Sequence, residues 1–121
     1  MSLRLFGALV DVPAADHERA VSFWSSALGM QPRVSEKFPD YAQYDEVSPG
    51  MYFMVQATQD HTRRVHLDFE SEDRDADVER LVQLGAAVIS RNHHWVAMRD
   101  PAGAVFCVIQ KSAPSAPAAG Q

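Results

Sequence analysis

Between residues 4 and 12 the chain alternates. Phe6, Ala8, Val10 and Val12 fall on one side, and Leu5, Gly7, Leu9 and Asp11 on the other. A period of two predicts a β-strand. From Asp16, a fair N-cap, the spacing changes to a helical one. Ala20, Phe23, Trp24 and Ala27 recur at i, i+3, i+4 and i+7 and make one apolar stripe. The stripe stops at Leu28-Gly29, with Gly29 where a left-handed residue ends a helix. Three strand-like segments follow, near 31–36, 40–46 and 51–57. Pro39 and the run Ser48-Pro49-Gly50 are read as the turns between them.

The same order then returns. "RRVHLDFE", Arg63 to Glu70, reads as a strand, and Ser71 or Asp73 can cap a helix with Val78, Leu81 and Val82 on its apolar side. This helix also ends at a Leu-Gly pair, Leu84-Gly85. Strand-like segments lie near 86–90, 94–99 and 104–110, the last two joined by the turn Asp100-Pro101-Ala102-Gly103. The plan is βαβββ written twice. The echo extends to single residues: "LVDV" at 9–12 lies over "HLDF" at 66–69, and "GMYFMVQ" at 50–56 over "GAVFCVI" at 103–109. A module that cannot bury its own open face packs on its copy. The expected fold is therefore α+β: two βαβββ modules in one chain, with curved mixed sheets around a concave pocket and the helices outside.

Alternation assigns the faces. Val65, Leu67 and Phe69 are expected under the helices, with His66 and Asp68 toward the concave side. By the echo, Phe6, Ala8, Val10 and Val12 pack under their helix while Leu9 and Asp11 point inward. On the last strand Phe106 and Val108 go to the helix layer, and Val105, Cys107 and Ile109 go inward. Near Trp95 the alternation leaves two choices open: His94, Val96 and Met98 inward, or His93, Trp95 and Ala97. Phe38, Tyr41, Tyr44 and Tyr52 are expected to add aromatic surface at the mouth. His17 and His61 read as exposed.

Composition narrows the function. The 121 residues suit one domain, and 46% hydrophobic with 22% charged residues is ordinary for a globular protein. A net charge of −5 argues against nucleic-acid binding. One cysteine excludes an intramolecular disulfide and any multi-cysteine metal cage. No stretch reaches membrane-spanning length and the start does not read as a signal peptide, so a cytoplasmic protein is expected. Residues 112–121, rich in proline and alanine, read as a disordered tail.

The words "DHERAVSFWSSALG" (16–29), "RRVHLDFE" (63–70), "VERLVQLGA" (78–86) and "WVAMRDPAGAVFCVI" (95–109) resemble the vicinal-oxygen-chelate superfamily, and within it the glyoxalase-like subgroup. That superfamily includes glyoxalase I, bleomycin-resistance proteins, fosfomycin-resistance enzymes and extradiol dioxygenases. The resemblance implies a single domain over 1–111, with modules at 1–57 and 58–111. It also implies a homodimer and a ligand held in the concavity.

It further implies a metal site at four pseudo-symmetric positions, usually His, Glu or Gln. Here they read Leu9, Met54, His66 and Cys107. Leucine donates no electron pair, and methionine and cysteine are soft ligands. No metal cofactor is predicted from this quartet. Asp11 or Asp68 would have to enter from outside it. With His66 they would resemble a facial two-carboxylate set.

The expected function is binding of a small organic ligand, as in a sequestration or resistance protein, with Leu9, Asp11, Met54, His66, Asp68, Trp95 and Cys107 lining the pocket. The alternative is a lyase, isomerase or dioxygenase-type enzyme that uses non-standard ligands or His66 as acid and base. A protein-contact role for the concave face is a third reading. Each residue also has a plain reading: His66 as a hydrogen-bonded buried ring, Cys107 and Met54 as packing, and Arg63-Arg64 as a solvated strand end.

Overall fold

The computed structural model describes residues 3–111; the tail expected at 112–121 lies outside them. The element order is β1 (Arg4–Pro13), α1 (Ala14–Leu28), β2 (Arg33–Ser35), β3 (Phe38–Ser48), β4 (Met51–Thr58), β5 (Arg64–Ser71), α2 (Arg74–Gln83), β6 (Ala87–Arg91), β7 (Trp95–Arg99) and β8 (Val105–Gln110). The fold is α+β and carries the βαβββ plan twice, as the periodicity implied. Among the described residues no helix is long and apolar enough to cross a membrane.

The chain forms two compact units. Among the described residues, one holds Gly7–Val65 and the other residues 3–6 and 66–111. In the first unit the strand order is β2-β3-β4-β1. β1 and β4 are parallel, while β4–β3 and β3–β2 are antiparallel. The second unit repeats this as β5-β8-β7-β6, with β5 and β8 parallel and the others antiparallel.

In the first unit α1 covers β4 and β3. Trp24 tilts onto Phe53 at 4.9 Å, and Phe53 meets Tyr44 at 6.0 Å. Tyr44 is fully buried. Its hydroxyl donates to the Val21 carbonyl at 3.1 Å and shares a 2.8 Å hydrogen bond with Ser25. It therefore anchors the helix to the sheet and is not part of an aromatic mouth. His17 is half-buried, not exposed, and its Nε2 donates to the Val55 carbonyl at 3.1 Å. Parallel pairing sets Ala8 beside Phe53 and Leu9 beside Met54. Ala8 is thus on the helix side and Leu9 on the opposite face.

α1 begins three residues earlier than the Asp16 cap implied. Pro13 stands before its first turn with no side-chain cap, and Asp16 lies inside that turn, bonded to Arg19 and Arg63. A carboxylate there still meets the positive end of the helix dipole. Gly29 ends the helix at φ 64, as its position required. Pro39 is not a turn; it lies within β3. The β2–β3 turn is at Glu36-Lys37, and a register shift between Arg33 and Ser35 loosens the ladder where proline has no N–H to give. Pro49-Gly50 does close the β3–β4 hairpin, with Gly50 at φ 73.

In the second unit α2 packs on β8. Val78, Val96, Met98 and Val108 form its core, flanked by Leu3, Leu81, Ala86 and Phe106. Asp73 caps α2 by accepting from the Ala76 N–H, while Ser71 is buried and donates to Asp77. Asp100 shapes the following turn by accepting from the Ala102 and Ala104 N–H groups, each at 2.8 Å. β6 is the terminal strand of this unit. It is exposed at every position, with Val88 and Ile89 among the exposed apolar residues and a register shift between Val88 and Ser90.

Two substitutions test this packing. A Cβ at Gly7 would come within 2.3 Å of the Tyr52 ring, which lies over its strand partner. Gly7→Ala is expected to lose about 1–3 kcal/mol of stability through overpacking. Tyr44→Phe is expected to lose about 1–2 kcal/mol with its two hydrogen bonds. Urea unfolding checks both as a lowered midpoint with an unchanged slope.

Candidate functional site

In β5 burial runs against polarity. His66 is 3% exposed and Asp68 0%, whereas Val65 is 65% exposed and Leu67 37%. The expectation that Val65 and Leu67 are covered by a helix is corrected. In the second unit the helix lies on β8, and on the β5 side of it Phe69 packs edge-on to Phe106 at 5.9 Å. Phe69 is half-buried there, but Leu67 is left open.

Register gathers three chemically active side chains on the face away from α2. Asp68 lies directly across from Cys107 in the β5–β8 ladder, and Phe69 across from Val108. Val108 belongs to the α2 core, so Cys107 and Asp68 share the other face. His66, two residues before Asp68, points the same way. The donor atoms of His66, Asp68 and Cys107 all lie within 4.8 Å of one another. His66 Nε2 is 3.8 Å from Asp68 Oδ1, beyond hydrogen-bond reach.

The open choice near Trp95 is decided. Val96 and Met98 join the α2 core, while Trp95 and Ala97 pack on Cys107 and Ile109. Trp95 is half-buried and pairs with Ile109. Phe6, expected under a helix, packs against Cys107 and Ile109 as well. The polar trio therefore has a largely apolar wall beside it.

The corresponding face of the first unit carries Leu9 and Met54 as a cross-strand pair, both at 0% exposure. Gln43 is opposite Met54 on β3. Asp11 pairs with Gln56, whose side-chain amide donates to the Tyr41 hydroxyl at 3.3 Å. Asp11 is 1% exposed and accepts from Arg64 Nε at 2.9 Å. The Arg63-Arg64 pair is thus engaged in ion pairs, Arg63 with Asp16 and Arg64 with Asp11. Farther out, hydrogen bonding from Arg33 holds the Asp45 carboxyl below its ordinary range. Gln43 and Gln56 were not singled out from the sequence. The signal for Gln56 was available, since it has the parity of Met54 in the same strand.

Comparison with known proteins bears directly on this arrangement. A family model described as a glyoxalase-like domain matches residues 8–109. The chain belongs to the glyoxalase-like domain family. None of the curated proteins matches it in sequence. Among solved structures, a Streptomyces coelicolor methylmalonyl-CoA epimerase variant in complex with 2-nitronate-propionyl-CoA is similar at TM-score 0.63 and 16% identity, covering 93% of this chain and 100% of that one. A 2,2',3-trihydroxybiphenyl 1,2-dioxygenase from Sphingomonas wittichii is similar at TM-score 0.62 and 12% identity, covering 98% of this chain and 43% of that one. A glyoxalase/bleomycin resistance protein/dioxygenase superfamily member from Vibrio splendidus gives TM-score 0.57 and 14% identity, covering 88% and 97%. At such identities the likeness is one of fold.

The glyoxalase-like domain does not fit the superfamily's four-position metal set. Leu9 has no donor atom, and its strand partner Met54 offers only a thioether, both inside a fully buried apolar pair. His66 and Cys107 alone are too few for a catalytic ion, which takes about three protein ligands.

The Asp11–Arg64 pair yields a stability test. Asp11 is buried while the Arg64 side chain is 43% exposed. Arg64→Met is expected to cost about 1.5–3 kcal/mol by removing a charge-assisted hydrogen bond from a buried carboxylate. The double variant Asp11→Leu/Arg64→Met is expected to recover part of that, because an apolar pair carries no desolvation penalty. Urea melts of the two single variants and the double measure the coupling.

Proposed function

We propose that this glyoxalase-like domain binds a small organic molecule without the superfamily's divalent-metal quartet, as a binding or sequestration protein of the resistance type. The observation that carries this reading is the Leu9–Met54 pair: two of the four positions are apolar and fully buried. The residues assigned to ligand are Leu9, Asp11 and Met54 on the face of the first unit and His66, Asp68, Trp95 and Cys107 on the face of the second, each unit taken by itself. Small-molecule sites combine apolar walls with a few placed polar groups, and each of the two sets has that character. The epimerase relative was captured with a CoA thioester analogue, so acyl-CoA thioesters belong in the first ligand panel, beside flat aromatic compounds suited to stacking on Trp95. The protein is further assigned as a cytoplasmic homodimer; light scattering at micromolar concentration tests the dimer.

A second reading is an enzyme of the same superfamily, a lyase, isomerase or dioxygenase. The observation in its favour is that His66 and Asp68 are both buried on one face of β5, side chains of the types that serve as acid and base.

Isothermal titration against the panel is expected to find an equimolar complex with no turnover. Trp95→Ala is expected to weaken that complex about tenfold, since one aromatic contact contributes roughly 0.5–1.5 kcal/mol beyond its buried area. Turnover of a panel compound that disappears in His66→Ala decides for the enzyme.

A further inference from the structure

The face of the first unit that carries Leu9 and Met54 ends in a polar edge. Cross-strand pairing lays out one row: Leu9 beside Met54, Met54 beside Gln43, and Gln43 beside Arg33. Directly opposite residues share a face, so Gln43 stands with Leu9 and Met54. Tyr41, two residues before Gln43 on β3, shares that face as well. We propose that Gln43 determines ligand specificity in the first unit. Its side-chain carbonyl accepts a hydrogen bond from a flat, uncharged ligand that carries an N–H or O–H on its edge. The inference rests on the ligand-binding reading above and narrows it to a chemical class.

Charge fixes which way the Gln43 amide points. Gln43 Nε2 donates to Asp45 Oδ1 at 2.7 Å. Arg33 holds the same carboxylate with two bonds, Nε to Oδ2 at 3.0 Å and Nη2 to Oδ1 at 3.2 Å. Hydrogen bonding from Arg33, helped by Gln43, keeps the Asp45 carboxyl below its ordinary range and hence ionised at neutral pH. An ionised carboxylate only accepts, so the amide must turn its NH2 toward Asp45. The carbonyl oxygen is then the end turned away from Asp45. Among the described residues nothing donates to that oxygen. An amide held in this way does not reverse to suit a ligand that itself accepts. Arg33 and Asp45 are therefore positioning residues.

The surroundings select the rest of the ligand. Tyr41 is half-buried and its ring meets Phe38 edge-on at 6.5 Å, which gives a flat ligand an ordered aromatic neighbour. The charges at this face are already matched, Arg33 with Asp45 and Arg64 with Asp11. A charged ligand would lose its hydration and find each of these counterions engaged, a penalty that a neutral ligand does not meet.

The test uses the full chain and uncharged ring probes of similar size: indole, which donates, 1-methylindole, which does not, and quinoline, which only accepts. Calorimetric titration is expected to give indole a Kd about threefold to tenfold below the others, the worth of one hydrogen bond. Gln43→Met keeps the side-chain length and removes the carbonyl. It is expected to bring indole to the level of 1-methylindole and to leave 1-methylindole unchanged. Asp45→Asn lets the amide reverse, so the preference for indole over quinoline is expected to shrink. The Arg33 and Asp45 side chains are 62% and 53% exposed, and exposed pairs contribute little to stability. Asp45→Asn is therefore expected to keep the melting temperature, and a preference lost at constant melting temperature is not what a purely structural pair would produce.

Equal affinity for the probes overturns the proposal, as does a preference for indole that persists in full in Gln43→Met or in Asp45→Asn. Equal binding leaves the ligand-binding reading standing without it. So does binding of an acyl-CoA thioester by a protein that takes none of the probes. If nothing binds, both fall.

Discussion

Two neighbouring strands that run in the same direction cannot be joined by a tight turn; the chain must leave the sheet and come back. Both units meet this constraint in the same way. β1 and β4 are parallel neighbours, as are β5 and β8, and each intervening stretch supplies one helix and a pair of antiparallel strands. The helix covers one face of its unit and leaves the other to the side chains of the parallel pair. Leu9 and Met54 in one unit, and Asp68 and Cys107 in the other, hold their places because of that pairing.

The two units use the same frame for opposite chemistry. In the first, the central cross-strand pair is apolar and adds burial energy, on the order of 1.5–3 kcal/mol for each side chain taken from water. In the second, the corresponding pair is a carboxylate and a thiol with an imidazole beside them. Such a face does not arise from packing economy, since a buried charge must be compensated locally. The stabilising work in this unit falls to the α2 core of Val78, Val96, Met98 and Val108. That division leaves the opposite face of this unit to His66, Asp68 and Cys107.

Much of this was legible beforehand. Period-two and helical spacing located ten elements, and the repeated Leu-Gly stops and matching words disclosed the duplication. What alternation could not show was register. A slip of one residue reverses every side chain, and a hydrophobic pattern reveals it. A slip of two keeps every side chain on its face and leaves the pattern intact. The echo set His66 over Leu9 and Cys107 over Met54, yet Met54 pairs with Leu9 while Cys107 pairs with Asp68. Coverage was also hidden. Val65 and Leu67 have the right parity for a helix-covered face, but parity does not say which strand the helix lies on. Pro39 and Tyr44 depart from the pattern for a related reason. A bulge admits a proline inside a strand, and a phenol near a presumed mouth can be buried by its own helix.

The exposed strand β6 has a consequence for how this chain survives its own synthesis. A terminal strand presents unpaired backbone groups, and Val88 and Ile89 would make it an inviting template for another chain. The register shift between Val88 and Ser90 interrupts the flat run that such templating needs, and Arg91 adds a charge at its end. A single irregular residue pair thus acts as a guard against edge-to-edge polymerisation, at a place far in sequence from the residues that carry the chemistry.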